Sequence, residues 1–243
     1  MLSTEHQAGV TTLTLQRPER GNALGPDLVE ALISAAEAAM ADPAVHTLVL
    51  RGDGRHFCTG LDLTDLATLS DGDLLLRLVR IETLLALLWH APIRTVALAH
   101  GRTWGAGADL FAACEQRLVH PDTTLRFPGA QFGIVLGTRR LAERIGVDAA
   151  RALVLEGGEL DAPEALALGL ATQRVDTGVD TASQILTRLA PPLPDSATAR
   201  AIRSATRDDC RDADLAALVR SAARPGLQSR ITAYRARLLA AVA

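Results

Sequence analysis

The chain has 243 residues, 48% of them hydrophobic and 22% charged, which suits one large α/β domain, or one domain with a small appendage, and excludes a disordered chain. The net charge is −3 and no basic run rises above background, so nucleic acid is not an expected partner. Cys58, Cys114 and Cys210 are widely spaced, odd in number and without a CxxC pair, which argues against a disulfide framework and suits a reducing cytoplasm.

Aromatic residues make up only 3%, so the core must be built from Leu, Ala, Val and Ile. There is no lysine, and any phosphate contact from a basic side chain must use arginine. Gly9–Leu15 alternates with β-branched residues and reads as a strand ended by Arg17-Pro18. Pro26 opens a helix carrying Leu28, Leu32, Ala35 and Ala39, and Asp42-Pro43 closes it. His46–Arg51 is a short strand, followed by a glycine-bearing loop from Gly52 to Gly60. Leu74–Trp89 is the most apolar stretch, but Arg77, Arg80 and Glu82 interrupt it, so it reads as a buried helix and not a membrane span. Ile93–Ala99 is an apolar strand, and glycine-rich Gly101–Gly107 leads into a helix over Ala108–Cys114. Arg117–Val119 and Thr124–Phe127 read as strands. From Thr138 onward helices dominate, with a short strand at Thr172–Val175.

Alternating strands and helices predict parallel strands with crossover connections. Pro191-Pro192-Leu193-Pro194 is the best boundary, dividing a core over 1–190 from a C-terminal helical segment over 191–243. That segment carries Arg220, Arg224, Arg230, Arg235 and Arg237, either on solvated helix faces or on a surface that packs against a neighbouring subunit. The N-terminus lacks a basic region followed by an apolar stretch, so no leader peptide is expected.

Two glycine-rich loops each follow a strand: Phe57-Cys58-Thr59-Gly60-Leu61-Asp62-Leu63 and His100-Gly101-Arg102-Thr103-Trp104-Gly105-Ala106-Gly107-Ala108-Asp109-Leu110. Ligands in α/β sheets sit beyond the carboxyl ends of strands. Glycine lets backbone approach them, and the first turn of a helix offers free N–H groups. The pair is therefore a candidate cradle for an oxyanion, although tight packing alone also explains such loops. Neither matches the dinucleotide or P-loop fingerprint.

Together with Leu15–Leu24 and the later Leu155–Ala165 plus Gly169-Leu170, these loops resemble the crotonase superfamily, the enoyl-CoA hydratase/isomerase family, in order and spacing from Thr11 to Val175. The resemblance implies a spiral of ββα units, a homotrimer or hexamer, and an acyl-CoA substrate handled in fatty acid metabolism. It implies coenzyme A as part of the substrate, no tightly bound cofactor and no metal. The oxyanion donors would be the backbone N–H groups of Leu61 and Ala106, and coenzyme A would lie near Arg20, Cys58, Leu61 and Asp62. Asp62 would also serve as a helix cap.

Hydratases of the family use two carboxylates. Asp109 occupies the first position, whereas the second falls on Gly129 in Phe127-Pro128-Gly129. The further carboxylate of dienoyl-CoA isomerases falls on Gly137, and the loop Gly133–Leu141 is shortened and lacks the usual proline. Adding water needs both a base and an acid, so Gly129 argues against efficient hydration. Glu115 lies on another helix face and reads as a structural acid. His90 reads as a helix-end residue, His100 as a hydrogen-bonding support, and Trp104 and Phe132 as pocket or core aromatics. Two functions remain open: an isomerase or lyase with Asp109, its pKa raised by burial, as the only matched acid/base, or a relative that binds acyl-CoA without catalysis.

Overall fold

The computed structural model describes residues 1–175 and 194–240, with residues 238 and 239 described by backbone alone. Six strands form the main sheet in the order β1 (Leu2–Gln7), β2 (Val10–Leu15), β3 (Thr47–Gly52), β4 (Arg94–Ala99), β6 (Gln116–Val119) and β9 (Gln173–Arg174). All pairings from β2 to β9 are parallel, and β1 adds an antiparallel hairpin edge. β5 (Arg102–Trp104), β7 (Thr124–Arg126) and β8 (Glu159–Asp161) form a second sheet. Each main-sheet strand β4 and β6 is thus followed by a short strand of the second sheet, the ββα repeat that the resemblance implies.

Period-two alternation sorts side chains between two faces. On β3, Leu48 and Leu50 join the main core with α1 (Pro26–Ala41), α2 (Asp71–Trp89) and α3 (Ala106–Ala113), while Val49 packs with Val10, Val96, Leu118 and Val175 on the other face. α2 begins before its apolar run. Ser70 and Asp73 form a capping box, each side chain accepting the other's backbone N–H.

α4 (Thr138–Ile145), α5 (Val147–Glu156) and α6 (Ala162–Ala167) follow, and then α7 (Ser196–Ala205), α8 (Arg211–Ala222) and α9 (Leu227–Ala240). Of the expected boundary Pro191–Pro194, residues 191–193 lie outside the described residues. Of the helices beyond it, α8 and α9 pack on the core: Leu218, Ala222, Leu227 and Ile231 join Leu66, Leu74, Leu78 and Ile134 of the same chain. Arg235 donates to the Leu63 carbonyl at 3.2 Å and Arg237 to that of Gln131 at 3.2 Å. No described helix is long and apolar enough to cross a membrane.

Candidate functional site

The first loop is clamped from both sides. The Leu24 N–H donates to the Gly60 carbonyl (2.7 Å) and the Asp62 N–H to the Leu24 carbonyl (3.1 Å), a parallel bridge. On the other side the Phe57 N–H donates to His100 (2.9 Å) and the Trp104 N–H to Cys58 (3.0 Å). Asn22, fully buried and left-handed, supports the same loop. Its amide donates to the carbonyls of Asp53 (2.9 Å) and His56 (2.7 Å) and accepts the Arg17 N–H (2.8 Å).

These clamps press the two glycine loops together. Gly60 has φ +96°, and an ideal Cβ on it would stand 2.8 Å from the Trp104 carbonyl oxygen and 3.2 Å from the Ala106 nitrogen. Gly105 has φ 54° and ψ −130°, a conformation open essentially to glycine alone. Because the bridge to Leu24 uses the Gly60 carbonyl and the Asp62 N–H, the Leu61 N–H points away from Leu24. The Ala108 and Asp109 N–H groups donate to the Gly105 carbonyl (2.8 and 3.0 Å). Ala106, first in α3, has no acceptor inside its helix. Two backbone donors on adjoining loops are therefore free of local secondary structure.

Asp109 lies in the first turn of α3 and is 6% exposed. Its carboxyl packs against Gly137, where an ideal Cβ would fall 2.2 Å from Oδ1. Burial holds this carboxyl well above the usual carboxylate range, with Arg140 opposing and Glu82 reinforcing the shift. Gly129 carries no carboxylate, and a Cβ there would stand 3.1 Å from the Ile134 carbonyl oxygen.

The residues expected near coenzyme A divide. Arg20 is exposed, and its guanidinium donates to the Thr64 hydroxyl at 3.3 Å. Cys58 is fully buried, its thiol pushed up to about 12, with its side chain under the loop in the core. The Asp62 carboxylate is occupied internally, accepting from the Thr64 N–H (3.0 Å) and hydroxyl (2.6 Å) and from Arg17 (2.9 Å). It closes a turn and is not a helix cap; Asp65 precedes the next helical turn.

Glu115 pairs with Arg203 of α7 at 2.7 Å, a structural acid as expected. His90 is the C-cap of α2, where burial lowers its pKa, and His100 supports the first loop through the Gly54 carbonyl (3.0 Å). The Trp104 ring lies under the guanidiniums of Arg102 (4.6 Å) and Arg126 (5.2 Å), while Phe132 packs on Tyr234 with centroids 5.2 Å apart. The sequence did not reveal the charge cluster formed by buried Glu82 and Arg140 with half-buried Asp214. The available signal was Glu82, the one acid within the leucine-rich run Leu74–Trp89 of α2.

A groove of about 370 Å³ lies outside Leu24, between α1 and α2, lined in part by Pro26, Val29, Leu69 and Leu76. Its acids are engaged, Glu30 with Arg80 and Asp73 with Ser70.

The paired sheets and apposed glycine loops define a crotonase-type fold. Residues 5–223 match the family model for enoyl-CoA hydratase/isomerase, and the chain belongs to that family. A crystal structure from Bordetella parapertussis, described as a candidate enoyl-CoA hydratase/isomerase, is 46% identical with a TM-score of 0.92, covering 97% of this chain and 98% of that one. A Mycobacterium tuberculosis (strain CDC 1551 / Oshkosh) protein named "Probable enoyl-CoA hydratase echA6" is 36% identical over 197 residues, 79% of this chain and 78% of the relative. An enoyl-CoA hydratase structure from Bacillus halodurans, 23% identical with a TM-score of 0.81 over 96% of this chain and 99% of that one, shares the fold.

Proposed function

We propose that the chain binds an acyl-CoA thioester with its carbonyl oxygen between the N–H groups of Leu61 and Ala106, and that Asp109 moves a proton on the adjoining carbons. The observation that carries this reading is the contact of Gly60 with Gly105 and Ala106, which brings two free backbone donors onto neighbouring loops. Donors fixed before the reaction stabilise negative charge as it develops on the thioester oxygen and need no reorganisation at that moment. Backbone donors also explain why Leu and Ala side chains are acceptable at these positions. Arg20, with Thr64, is an exposed basic group beside the first loop and is assigned to the nucleotide end of coenzyme A. The backbone of Leu61 and Asp62 is assigned to the part nearer the thioester.

Burial favours the protonated form of Asp109. The group is therefore set to deliver a proton to an enolate carbon, forming the C–H bond as the carbonyl is restored, and can take one back in the reverse direction. Gly129 supplies no second carboxylate, so enolate protonation and isomerisation are favoured over hydration. The same glycine, and the turning of Asp109 against Gly137, favour one alternative: a family member that binds acyl-CoA without turnover. The family resemblance supports a homotrimer or hexamer, and the three free cysteines agree with a cytoplasmic setting.

The test is to mix the protein with crotonyl-CoA and a panel of other enoyl-CoAs and follow loss of the conjugated thioester absorbance. Turnover that disappears in Asp109→Asn is the expected result. Tight binding without turnover across the panel selects the alternative, and failure to bind any CoA ester overturns both.

A further inference from the structure

The Asp109 carboxyl packs against Gly137, the N-cap of α4, and in the first turn of that helix three helices meet at one guanidinium. Arg140 of α4 has a side chain 1% exposed. It forms a two-point pair with Glu82 of α2, Nη2 to Oε1 and Nη1 to Oε2, the latter at 3.1 Å. Its Nη2 also lies 3.1 Å from Oδ2 of Asp214 on α8. Asp214 in turn accepts from Arg139 Nε (2.8 Å) and Nη2 (2.6 Å), and Glu143 joins Arg139 from the solvent side. Within the inner set, two guanidiniums face two carboxylates, so a charge on Asp109 would be the unmatched one.

Of the elements packed on α3, α2 contributes Glu82 and α4 contributes Arg140 to the field at Asp109, with opposite signs. β4 and β5, also packed on α3, carry Arg94 and Arg102. His90 and Asp209, at the far end of α2, interact with one another at 3.8 Å.

A buried ion pair costs desolvation on both partners and is often matched in stability by apolar residues of the same size. One donor of Arg140, Nε, is also buried without a partner among the described residues, a further cost. A guanidinium kept at this expense in the first turn of the helix whose N-cap the Asp109 carboxyl packs against points to a role for its charge. We propose that Arg140 is a positioning residue for Asp109: gripped by Glu82 and Asp214, it governs whether the Asp109 carboxyl holds its proton, and it makes the seating of α8 part of that control. This rests on the reading of Asp109 as the proton-moving group.

The signs separate this role from a strut. Glu82→Gln removes the negative charge that opposes ionisation and leaves Arg140 less neutralised, so Asp109 should release its proton at lower pH. Arg140→Met removes the opposing positive charge and should raise that pH; Arg140→Lys should restore it. Asp214→Asn leaves Glu82 paired but frees part of the Arg140 charge, so it should act in the direction of Glu82→Gln. The measurement is the infrared C=O stretch of the protonated Asp109 carboxyl, assigned by its loss in Asp109→Asn and followed with pH.

The expected result is a midpoint lowered by about one pH unit in Glu82→Gln and raised in Arg140→Met, where one unit is a tenfold change in proton affinity. Midpoints that stay put, or that move the same way in both variants, overturn the proposal. If Glu82→Gln or Arg140→Met does not fold, Asp214→Asn decides by the same criterion, since its position is more exposed. The spectrum is read without any CoA ester, so loss of the enzyme reading would leave this result standing, and the reverse.

Discussion

Gly107 lies so close to the carbonyl oxygen of Cys58 that an ideal Cβ on it would stand 2.2 Å away. That oxygen also accepts the Trp104 N–H at 3.0 Å, so it cannot retreat without loosening the join between the two loops. Alanine is favoured over glycine inside a helix by about 1 kcal/mol. Here the clash is with backbone, and overpacking of this kind costs about 1–3 kcal/mol. Gly107→Ala should therefore lower the melting temperature. It should also weaken acyl-CoA binding, because the added methyl drives α3, and with it the Ala106 N–H, away from Leu61. Calorimetric titration beside a thermal melt checks both; an unchanged affinity would separate the loop contact from the ligand site.

Gly137 and Gly129 should respond differently to the same substitution. Gly137 has φ +65°, and its Cβ would meet the Asp109 carboxyl at 2.2 Å, so Gly137→Ala meets both backbone strain and a buried acid. Gly129 has no left-handed conformation and a nearest contact of 3.1 Å, which a shift of a few tenths of an ångström relieves. Gly137→Ala is expected to cost more than about 2 kcal/mol, and Gly129→Ala less than about 1. Urea melts give both values, and equal losses would contradict the packing of Asp109 against Gly137.

Much of this fold was legible because its core strands and long helices carry their own periodicity. The β2, β3, β4 and α1 segments begin and end within a residue or so of where their apolar runs place them. β1 escaped notice because Leu2–Gln7 is a largely exposed edge strand whose polar residues suit solvent and carry no burial signal. β5 hides inside the glycine-rich loop, where Arg102-Thr103-Trp104 reads as connector until its partner β7 is known. α2 starts earlier than its leucines because the capping box that launches it is polar. At the site, the glycine loops could be read because each demand on the backbone is local. The Glu82–Arg140–Asp214 cluster could not, since charge pairing across three helices leaves no spacing rule in the chain.

The Asp62 carboxylate gives the first loop an acid sensitivity. Burial pushes its pKa up, but the hydrogen bonds from Thr64 and the Arg17 guanidinium outweigh this and hold it below the ordinary carboxylate value. The folded state therefore binds a proton less readily than the unfolded one. The stabilisation is present above the unfolded pKa of about 3.9 and is lost as pH falls through the folded value. Asp62→Asn should remove about 1 kcal/mol at neutral pH and flatten the acid limb of the stability curve. Equally steep acid limbs in the two proteins would show that the Arg17 pair does not carry this dependence.

For Asp109 the sign is reversed. Burial raises the folded pKa, so above the unfolded value of about 3.9 the folded state keeps a proton that the unfolded state releases. Native stability then declines as pH rises from that value toward the folded pKa, where the loss levels off. Asparagine keeps the shape and cannot ionise in either state. Asp109→Asn should thus match the parent near pH 4 and become progressively more stable than it toward neutrality, while enoyl-CoA turnover is lost. Denaturant melts at a series of pH values, paired with the absorbance assay, provide the measurement. A buried acid with only a packing role predicts no link between its replacement and turnover. A variant that gains stability as it loses activity would instead mark Asp109 as a residue whose burial costs the fold and serves the reaction.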